Sequence, residues 1–484
     1  WVQNHIAKGL PVIKLQGCSN RNYVVLGLGR SGTASVEALV ASGANVICWD
    51  DDGETRSLAK AKGFQVKNPI SDFNWECIDR LILSPGIPYH FPSPHPIVSS
   101  AISAGVLVDN DVGLFFQSIA TKSWSTFAVL PKIIAVTGSN GKSTTASLLH
   151  HIISTLGYKV QLAGNIGRGV LDINPPSDSE VIILELSSFQ IEVARTLSPD
   201  VAVFTNISSD HLERHGGFGG YFASKRRLFA EGCPDYSIIG VDELEGLQLA
   251  QELSVSTQDA SVIRVSVKNP LRKFGWSVFC DGTKLVENQK GRQANSIDLK
   301  YFDNFVGLHS YQNAANAYAV CRVIGFSPRK VAEAMKTFTG LAHRSQKIAV
   351  FNGVTFVNDS KATNIDSAMM SLNAYNNIRW ICGGEQKDGG LSRLNASTQM
   401  VKRAYIIGVE AESISKQLEC ESVICENMKK AVEKATEDSS LGDVVLLAPA
   451  ASSFDQYDNF ERRGEDFIFQ VERVIEGAKK SKTV

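Results

Sequence analysis

Short apolar runs alternate with amphipathic helical patterns along most of the 484-residue chain, and the runs are nearly continuous in Val, Ile and Leu. Such runs are typical of parallel strands that are buried on both faces. Repeated strand–helix units predict right-handed crossovers and doubly wound sheets. We therefore expect an α/β protein, and the places where the pattern restarts predict three domains, over 1–110, 111–340 and 341–484.

One segment departs from this alternation. Between about Val262 and Tyr301 the residues alternate in polarity around Asp281 and Gly282, which predicts a small antiparallel excursion. We assign no chemical role to the extra residues between about 240 and 300. A helix is expected to follow over 307–325.

The most informative stretch reads IIAVTGSNGKSTT, residues 133–145. An apolar strand meets a Gly-rich loop and then a helical pattern, which is the arrangement of a phosphate-binding loop. Gly138 and Gly141 let backbone N–H groups turn toward an anion, Lys142 adds a positive charge, and the Ser143 hydroxyl is a ligand for Mg²⁺. The first glycine of the common nucleotide-binding pattern is replaced by valine, so an ordinary turn with a solvated lysine stays as the alternative.

Polar residues also end the next two strands. Glu185 is the only acid in VIILELSSF, and Asn206, Asp210 and His211 follow VAVFTN. Ligands of open α/β sheets bind outside the carboxyl ends of the strands, so we expect these residues to meet the phosphate-binding loop. Hard oxygen ligands and one imidazole suit Mg²⁺ held mainly by substrate phosphates. A salt bridge for Glu185 and a structural role for His211 are the plainer alternatives.

The first domain carries its own glycine loop. Gly27, Gly29 and Gly32 form G-x-G-x-x-G between a strand and a helix, and Asp50 ends the following strand. This spacing suits a dinucleotide or any other diphosphate, with the acid on a ribose. The turn at 84–86 ends a neighbouring strand and is expected to close over the same ligand. Tight strand–helix packing alone is the alternative.

The third domain offers cations and hydroxyls at strand ends. Arg344 lies near its start, and DSKATN, GGEQKDGG and APAASSFDQYDNF each follow a predicted strand. Together they predict a donor-rich edge for a small dianion or a nucleotide. Solvated loops are the alternative. On the preceding helix, His309, Asn313 and Asn316 are candidates for one binding face, with capping or surface roles as the plainer reading.

The composition argues against some classes of binding partner. Lys and Arg (49) nearly balance Asp and Glu (50), which argues against nucleic acid or an acidic membrane surface. No apolar run reaches the roughly 18 residues that span a bilayer. No secretory signal pattern is visible, and we expect the start at Trp1 to be incomplete. The nine cysteines show no C-x-x-C spacing, so we expect no disulfide framework or zinc site, and a location in the reducing cytoplasm. We separately expect a monomer.

The order of the motifs matches a known family. The chain carries, in sequence, TGSNGKST, LELSSFQ, TNISSDH, GLHSYQNAANA, HRSQ, NDSKATN, GGEQKDGG and APAASSFDQYDNFERRG. By these motifs it resembles the Mur ligases of peptidoglycan synthesis over essentially its whole length. The GLGRSG opening, SPGIP and the SSFDQYDNFERRG ending are most similar to the members that add D-glutamate.

The resemblance implies a three-domain enzyme. A Rossmann-like N-terminal domain would bind the UDP part of UDP-N-acetylmuramoyl-L-alanine. A central P-loop-type ATPase domain with a mostly parallel sheet would bind ATP and Mg²⁺, and a Rossmann-like C-terminal domain would receive D-glutamate. The implied reaction is ATP-dependent ligation through an acyl phosphate, in peptidoglycan precursor synthesis and hence in cell-wall biogenesis, cell shape and cell division.

The same resemblance implies roles for individual residues. The catalytic set is Lys142, on the phosphates, with Glu185, His211 and a carbamylated Lys225; with Ser143, the last three would hold two Mg²⁺ ions. Further ATP contacts are Gly138, Ser139, Asn140, Gly141, Thr144, Asn313, Arg344, Asp359 and Lys361. The candidate contacts of the nucleotide substrate are Asn165, from the resemblance, and Arg30, Ser31, Asp50, Ser84, Pro85 and Gly86, around the first glycine loop. The implied D-glutamate contacts are Thr363, Lys387, Ser453 and Phe460.

One departure and three alternatives stay open. Ser310 stands where the family usually has Asn, so Asn313 is expected to carry the adenine contact alone. A related ligase for another amino acid, either another Mur ligase or one similar to folylpolyglutamate synthase, shares most of the motifs. An NAD-dependent dehydrogenase built on GLGRSG leaves the phosphate-binding loop unexplained. A non-catalytic nucleotide-binding scaffold is the third.

Overall fold

The structure is a computed structural model that describes residues 12–70, 73–120, 127–257, 261–302, 305–386 and 390–481. These residues form two compact units. One contains the described residues up to Asp298 together with Gln312–Met335, and the other contains Leu299–Tyr311 and the described residues from Lys336 onward. The predicted α/β class is confirmed, whereas the domain limits at 110 and 340 stay predictions.

The first sheet has four parallel strands in the order β2–β1–β3–β4. The strands are β1 (Asn22–Leu26), β2 (Asn45–Trp49), β3 (Arg80–Leu83) and β4 (Leu107–Asp109). The helices among them are α1 (Arg30–Ala41), α2 (Gly53–Ala61) and α3 (Pro96–Ser103). The chain changes direction between β1 and β3, so the loops after these two strands flank the position where such sheets bind ligands.

The second sheet has nine strands in the order β13–β12–β11–β10–β9–β8–β5–β7–β6. They are β5 (Lys132–Thr137), β6 (Val160–Gly164), β7 (Val181–Glu185), β8 (Val201–Phe204), β9 (Tyr236–Gly240), β10 (Val262–Ser266), β11 (Trp276–Asp281), β12 (Lys284–Gln289) and β13 (Arg292–Asp298). Strand β5 pairs in parallel with both β7 and β8. The three predicted polar strand ends therefore lie side by side.

Helices precede, separate and follow the strands of this sheet along the sequence. They are α4 (Asp111–Ala120), α5 (Lys142–Thr155), α6 (Ser188–Val193), α7 (Phe218–Ala230), α8 (Leu244–Thr257), α9 (Gly307–Val323) and α10 (Pro328–Lys336). The helix expected over 307–325 is thus observed two residues shorter. None of the helices in the described part of the chain has the length and apolar character needed to cross a bilayer.

The excursion predicted at 262–301 was only partly right. Strands β11, β12 and β13 pair in antiparallel fashion as expected. However, β11 also pairs in parallel with β10, so the segment extends the main sheet. The reason lies in β11 itself, where Ser277–Cys280 are all buried, as in a strand covered on both faces.

The third sheet has six strands in the order β14–β15–β19–β16–β17–β18, and only β14 is antiparallel to its neighbour. The strands are β14 (Gln346–Phe351), β15 (Val354–Asn358), β16 (Ile378–Gly383), β17 (Val401–Ile407), β18 (Ser422–Ile424) and β19 (Val444–Leu447). The helices are α11 (Ile365–Leu372), α12 (Ala411–Gln417), α13 (Met428–Glu437) and α14 (Phe460–Ser481). The three motif-bearing loops follow β15, β19 and β16, which are adjacent.

Candidate active site

The loop after β5 depends on glycine for its close packing. Gly138 has φ +140°, and a Cβ there would fall 2.0 Å from Thr205 Oγ1. Gly141 has φ +79°, and a Cβ there would fall 2.1 Å from Asn313 Oδ1. Both positions combine a left-handed backbone with a neighbour at contact, so no other residue fits without displacing the loop.

Side chains from other elements hold the same loop. Asn206 Oδ1 accepts a hydrogen bond from the Asn140 N–H at 2.8 Å, and its Nδ2 donates to Gln312 Oε1 at 2.7 Å. Ser139 Oγ lies 3.0 Å from the Tyr221 hydroxyl. Ser143 and Thr144 lie in the first turn of α5. The loop is thereby fixed before any ligand arrives.

Two lysines lie against this loop. The Lys142 ammonium donates to the Ser139 carbonyl at 2.7 Å, and the Lys225 ammonium donates to the Gly138 carbonyl at 2.8 Å. Lys225 is 1% exposed and lies 4.5 Å from the centre of the Tyr221 ring. Burial, and secondarily the charge of Lys142, hold the pKa of Lys225 well below its usual value. The Lys225 side chain is therefore readily available as a neutral amine.

Glu185 ends β7 beside the loop and is 1% exposed. Its Oε1 lies 3.5 Å from Asn165 Nδ2, while its Oε2 makes no hydrogen bond to any described residue. A buried carboxylate oxygen without a partner is costly, and a divalent cation would satisfy it. Among the described residues, no three His, Cys, Asp or Glu side chains lie close enough to hold a metal by themselves. That is consistent with Mg²⁺, which keeps waters and phosphate oxygens as most of its ligands.

His211 follows β8 with a left-handed φ of +52°. Its Nε2 lies 3.5 Å from Asp210 Oδ2, and its ring lies 5.1 Å from that of Phe189. Arg214 lies on the other side of this turn, with its guanidinium carbon 4.7 Å from the Phe189 ring and its Nη1 donating to the Gly86 carbonyl at 3.0 Å. The strand-end turn is thus tied to the turn at 84–86.

These elements surround one pocket of about 300 Å³. Six of the predicted site residues line it, together with five others. The six are Pro85, Gly86, Lys142, Asn165, His211 and Lys225, and the others are Ser187, Ser188, Phe189, Asp210 and Tyr221. Two lysines, a histidine and hydroxyl groups in one enclosed space suit a phosphorylated anionic ligand.

The predicted residues of the first glycine loop are largely engaged within the fold. Asp50 accepts hydrogen bonds from the Leu28 and Asp52 N–H groups, at 2.7 and 2.9 Å. Ser84 Oγ donates to the Gly27 carbonyl at 2.8 Å. The Arg30 Nη1 donates to the Gly167 carbonyl at 2.6 Å. These hydrogen bonds stabilise the turn itself, and the roles of these residues in binding a nucleotide stay predictions.

Ser31 contacts a further buried acid. Its hydroxyl hydrogen-bonds to the Asp111 carboxylate, and burial raises the pKa of Asp111 to about 6. Asp111 is 2% exposed, and its Oδ2 has no hydrogen-bond partner among the described residues. The first turn of α1 is therefore linked to the start of α4.

The predicted residues of the third domain meet within their own unit. The Lys361 ammonium lies 4.0 Å from the centre of the Phe460 ring, and Thr363 donates its N–H to the Lys361 carbonyl at 2.8 Å. Asp359 is 8% exposed, accepts from the Ser345 N–H at 3.2 Å and feels the charge of Arg344, while burial raises its pKa. Ser453 is 3% exposed on the loop after β19. Lys387 lies outside the described residues.

Arg463 was not predicted from the sequence. It lies on α14, is 1% exposed, and donates to Ser360 Oγ at 3.1 Å and to the Ser360 carbonyl at 3.0 Å. Its Nη1 donates to the carbonyls of Ala451 and Ser452, at 3.2 and 3.1 Å. Burial lowers the pKa of Arg463 to about 10. Its place in the motif NFERRG is the only signal in the sequence that could have found it.

The sequence also missed Tyr221, Phe189, Ser188, His215 and Gln312 around the central pocket. Ser188 and Phe189 were visible as part of LELSSFQ, beside Glu185. The others carry no local pattern that separates them from ordinary core residues.

Outside the carboxyl ends of the adjacent strands β7, β5 and β8, the chain thus places a glycine loop, two lysines and a buried carboxylate. This combination is typical of nucleotide-binding α/β enzymes. Models of known families agree, because residues 136–321 match the Mur ligase middle domain and residues 343–451 match the Mur ligase glutamate ligase domain. The chain belongs to the Mur ligase family.

Two relatives share more than half of their aligned residues with this chain. The UDP-N-acetylmuramoylalanine–D-glutamate ligase of Ruegeria pomeroyi is 54% identical over 96% of this chain and 100% of that protein. The ligase of the same name from Cereibacter sphaeroides is 53% identical over 96% of this chain and 100% of its own length.

Solved structures show the same fold. UDP-N-acetylmuramate–alanine ligase from Thermotoga maritima aligns with a TM-score of 0.57 and 17% identity, over 94% of this chain and 99% of that one. A UDP-N-acetylmuramoyl-L-alanyl-D-glutamate–2,6-diaminopimelate ligase aligns with a TM-score of 0.54 and 18% identity, over 79% and 89%. These two likenesses concern the fold alone.

Proposed function

We propose that this chain joins UDP-N-acetylmuramoyl-L-alanine to D-glutamate at the expense of ATP, as a step of peptidoglycan precursor synthesis. The chain belongs to the Mur ligase family, and the 54% identity to the Ruegeria ligase over 96% of this chain supports this choice of substrates. The observation that carries the proposal is the central pocket, which Lys142 and Lys225 line. The buried Glu185 at the end of β7 lies close enough to Lys225 to influence its charge. The nine free thiols suit the reducing cytoplasm in which we place the reaction.

The chemical problem is repulsion between anions. A carboxylate must approach a triphosphate, and two unit charges 4 Å apart repel by roughly 4 kcal/mol at an effective dielectric constant of about 20. Lys142 offsets part of this charge from within the loop. Mg²⁺, when bound, neutralises charge on the transferred phosphoryl group. We propose that Glu185, Ser143, His211 and a modified Lys225 hold two such ions.

Lys225 is proposed to be modified by CO₂. Its neutral amine nitrogen forms a bond to the carbon of CO₂ and releases one proton, which leaves a carbamate anion. The lowered pKa of Lys225 supports this step, because only the neutral amine carries the lone pair that reacts. The product turns a buried cation into an oxygen ligand beside the unpartnered Glu185 oxygen.

The reaction then takes two displacements. A carboxylate oxygen of the alanine attacks the γ-phosphorus of ATP, and ADP leaves, which gives an acyl phosphate. The D-glutamate amine attacks the acyl carbon, phosphate leaves from the tetrahedral intermediate, and the amide nitrogen loses a proton. Asn165, the turn at 84–86 and the residues of the first glycine loop are proposed to position the nucleotide substrate. Enclosure of the pocket protects the acyl phosphate from water.

The third domain is proposed to provide its own substrate contacts. By resemblance, Arg344, Asp359 and Lys361 contact the nucleotide, and Thr363, Lys387, Ser453 and Phe460 contact D-glutamate. The contact between Lys361 and Phe460 supports a shared location for these two groups. Exchange of Lys387 for Ala is expected to raise chiefly the KM for D-glutamate, and an effect confined to ATP would reassign that loop.

A substrate panel tests the proposal. The protein is incubated with ATP, Mg²⁺, UDP-N-acetylmuramoyl-L-alanine and one amino acid at a time, and phosphate release is measured. We expect release with D-glutamate only. Release with L-alanine or a diamino acid would indicate a different member of the family, and reduction of NAD with no phosphate release would indicate the dehydrogenase.

A further inference from the structure

His215 is a buried histidine that the mechanism above does not use. It lies four residues after His211, is 3% exposed, and stacks on Phe189 with ring centres 5.1 Å apart and an interplanar angle of 11°. Its Nε2 lies 2.9 Å from Ser188 Oγ, and its Nδ1 lies 3.2 Å from Ser224 Oγ. It therefore connects α6, which follows Glu185, with α7, which carries Lys225.

The contacts around the ring favour one position for its proton. The Ser224 hydroxyl has one hydrogen, and its shorter contact, 2.9 Å, is to the Gly220 carbonyl, which can only accept. With the hydrogen there, the Ser224 oxygen accepts from Nδ1. In this arrangement Nδ1 carries the proton, and the Glu192 carboxylate, 3.5 Å from Nδ1, favours it too. In the neutral ring Nε2 is an acceptor, so the Ser188 hydroxyl donates to it.

This arrangement has a consequence for the pocket, which Ser188 lines. The single hydroxyl hydrogen of Ser188 is directed at His215, so only lone pairs of its oxygen are left for a ligand. We propose that His215 is a positioning residue that turns the Ser188 oxygen toward the pocket as a hydrogen-bond acceptor. On the proposed function, the matching donor is a water on the divalent cation or the amide N–H of the nucleotide substrate.

The tautomer can be measured without any ligand. We would record long-range ¹H–¹⁵N spectra of the ¹⁵N-histidine-labelled protein and assign His215 by its loss in His215→Phe. The expected signal has Nδ1 protonated and Nε2 unprotonated. A ring protonated at Nε2 alone would overturn the proposal, whatever reaction the protein catalyses.

A double-mutant cycle tests the link to function. Phe at position 215 keeps the ring stack and removes both hydrogen bonds. Loss of such an outer partner typically costs about 10- to 100-fold, and we expect this loss in kcat for both His215→Phe and Ser188→Ala. Because both substitutions act through the Ser188 oxygen, the kcat of the double variant should lie within about threefold of the kcat of the less active single variant. Losses that multiply, or a His215→Phe variant within about threefold of the parent protein, would contradict the proposal.

Two further variants keep the result interpretable. His151→Phe removes the contact of a partly buried histidine, 3.1 Å to the Ala334 carbonyl, and should leave kcat unchanged. Should His215→Phe not fold, Ser224→Ala replaces it, because Glu192 can still accept from Nδ1. We expect Ser224→Ala to keep kcat within about threefold while Ser188→Ala does not, and equal losses would overturn the proposal.

The kinetic constants identify the donor. A higher Mg²⁺ requirement in Ser188→Ala assigns a water of the cation, and a higher KM for the nucleotide substrate assigns its amide. A parent protein with no ligase turnover would remove the proposed function while leaving the tautomer measurement valid.

Discussion

Two glycine loops of one compact unit share a backbone design and differ in charge. In both, a buried strand meets at least one glycine at positive φ and then a helix, and each has a glycine with no room for a Cβ. After β1, the Asp50 carboxylate accepts hydrogen bonds from two backbone N–H groups. After β5, the Lys142 and Lys225 side chains contact the loop carbonyls, and one Glu185 oxygen has no hydrogen-bond partner in the described part of the chain. Because the backbones are alike, the placement of charge decides what chemistry each loop can support.

The sharpest test of this contrast removes the charge of the second loop. Lys142→Ala should lower kcat by at least about 10³-fold, since a positioned cation on a transferring phosphoryl group is worth several kcal/mol. Steady-state phosphate release measures the loss. Thermal unfolding should be nearly unchanged, and the exposed Lys132→Ala is the matched control. Near-normal turnover of Lys142→Ala would remove the loop from the mechanism.

The second lysine, Lys225, is expected to act in a different way, as a modified side chain that binds metal. Lys225→Ala should lose about 10²-fold or more in kcat, because a metal ligand is lost. Added formate or acetate should restore part of the activity, since a carboxylate can occupy the space of the carbamate. The neighbouring Arg226→Ala, whose partner is Glu252 on the surface, should need no rescue. A fully active Lys225→Ala would refute the modification.

For the first loop we expect a smaller effect. Asp50→Ala frees the Leu28 and Asp52 N–H groups and loosens the loop, so the KM for the nucleotide substrate should rise about tenfold, the equivalent of roughly one lost charge-assisted hydrogen bond. The KM for ATP should not change. Glu54→Ala, an exposed acid of α2, serves as control. An equal rise in both KM values would show that the two loops are not functionally separate.

The smallest effect concerns Asp111, which binds Ser31 beside the first loop. Its pKa of about 6 exceeds the ordinary 3.8, so the folded protein binds more protons than the unfolded chain between these values. Stability therefore falls as pH rises through this window. Asp111→Asn keeps a hydrogen-bonding oxygen and removes the charge, so its advantage in unfolding free energy should grow by about 1 kcal/mol between about pH 5 and pH 6. Denaturant unfolding at the two pH values measures this, and a constant difference would contradict the assignment.

The features that the sequence predicted are those with local signals. Unbroken Val, Ile and Leu runs indicated parallel buried strands, and glycines beside Lys142 indicated a phosphate-binding loop. The strand-end rule then placed Glu185 and His211 near that loop, and the order β7–β5–β8 agrees with it.

Features that depend on distant pairs were not predictable. His215 acquires its meaning from Ser188, 27 residues away, and Arg463 from Ser360, 103 residues away. Neither pair leaves a periodic trace in the sequence. The error at β11 has the same origin, because alternating polarity indicates a strand and does not identify its neighbour.

Arg463 has an implication for how the third domain tolerates change. Its hydrogen bonds all go to uncharged oxygens, and they reach two loops at once. A lysine would preserve the charge, yet its single nitrogen cannot span carbonyls that a planar fork reaches together. A change in the position of either loop is therefore restricted by the other. Insertions that lengthen one loop are expected to be tolerated only outside the residues that the Arg463 guanidinium contacts.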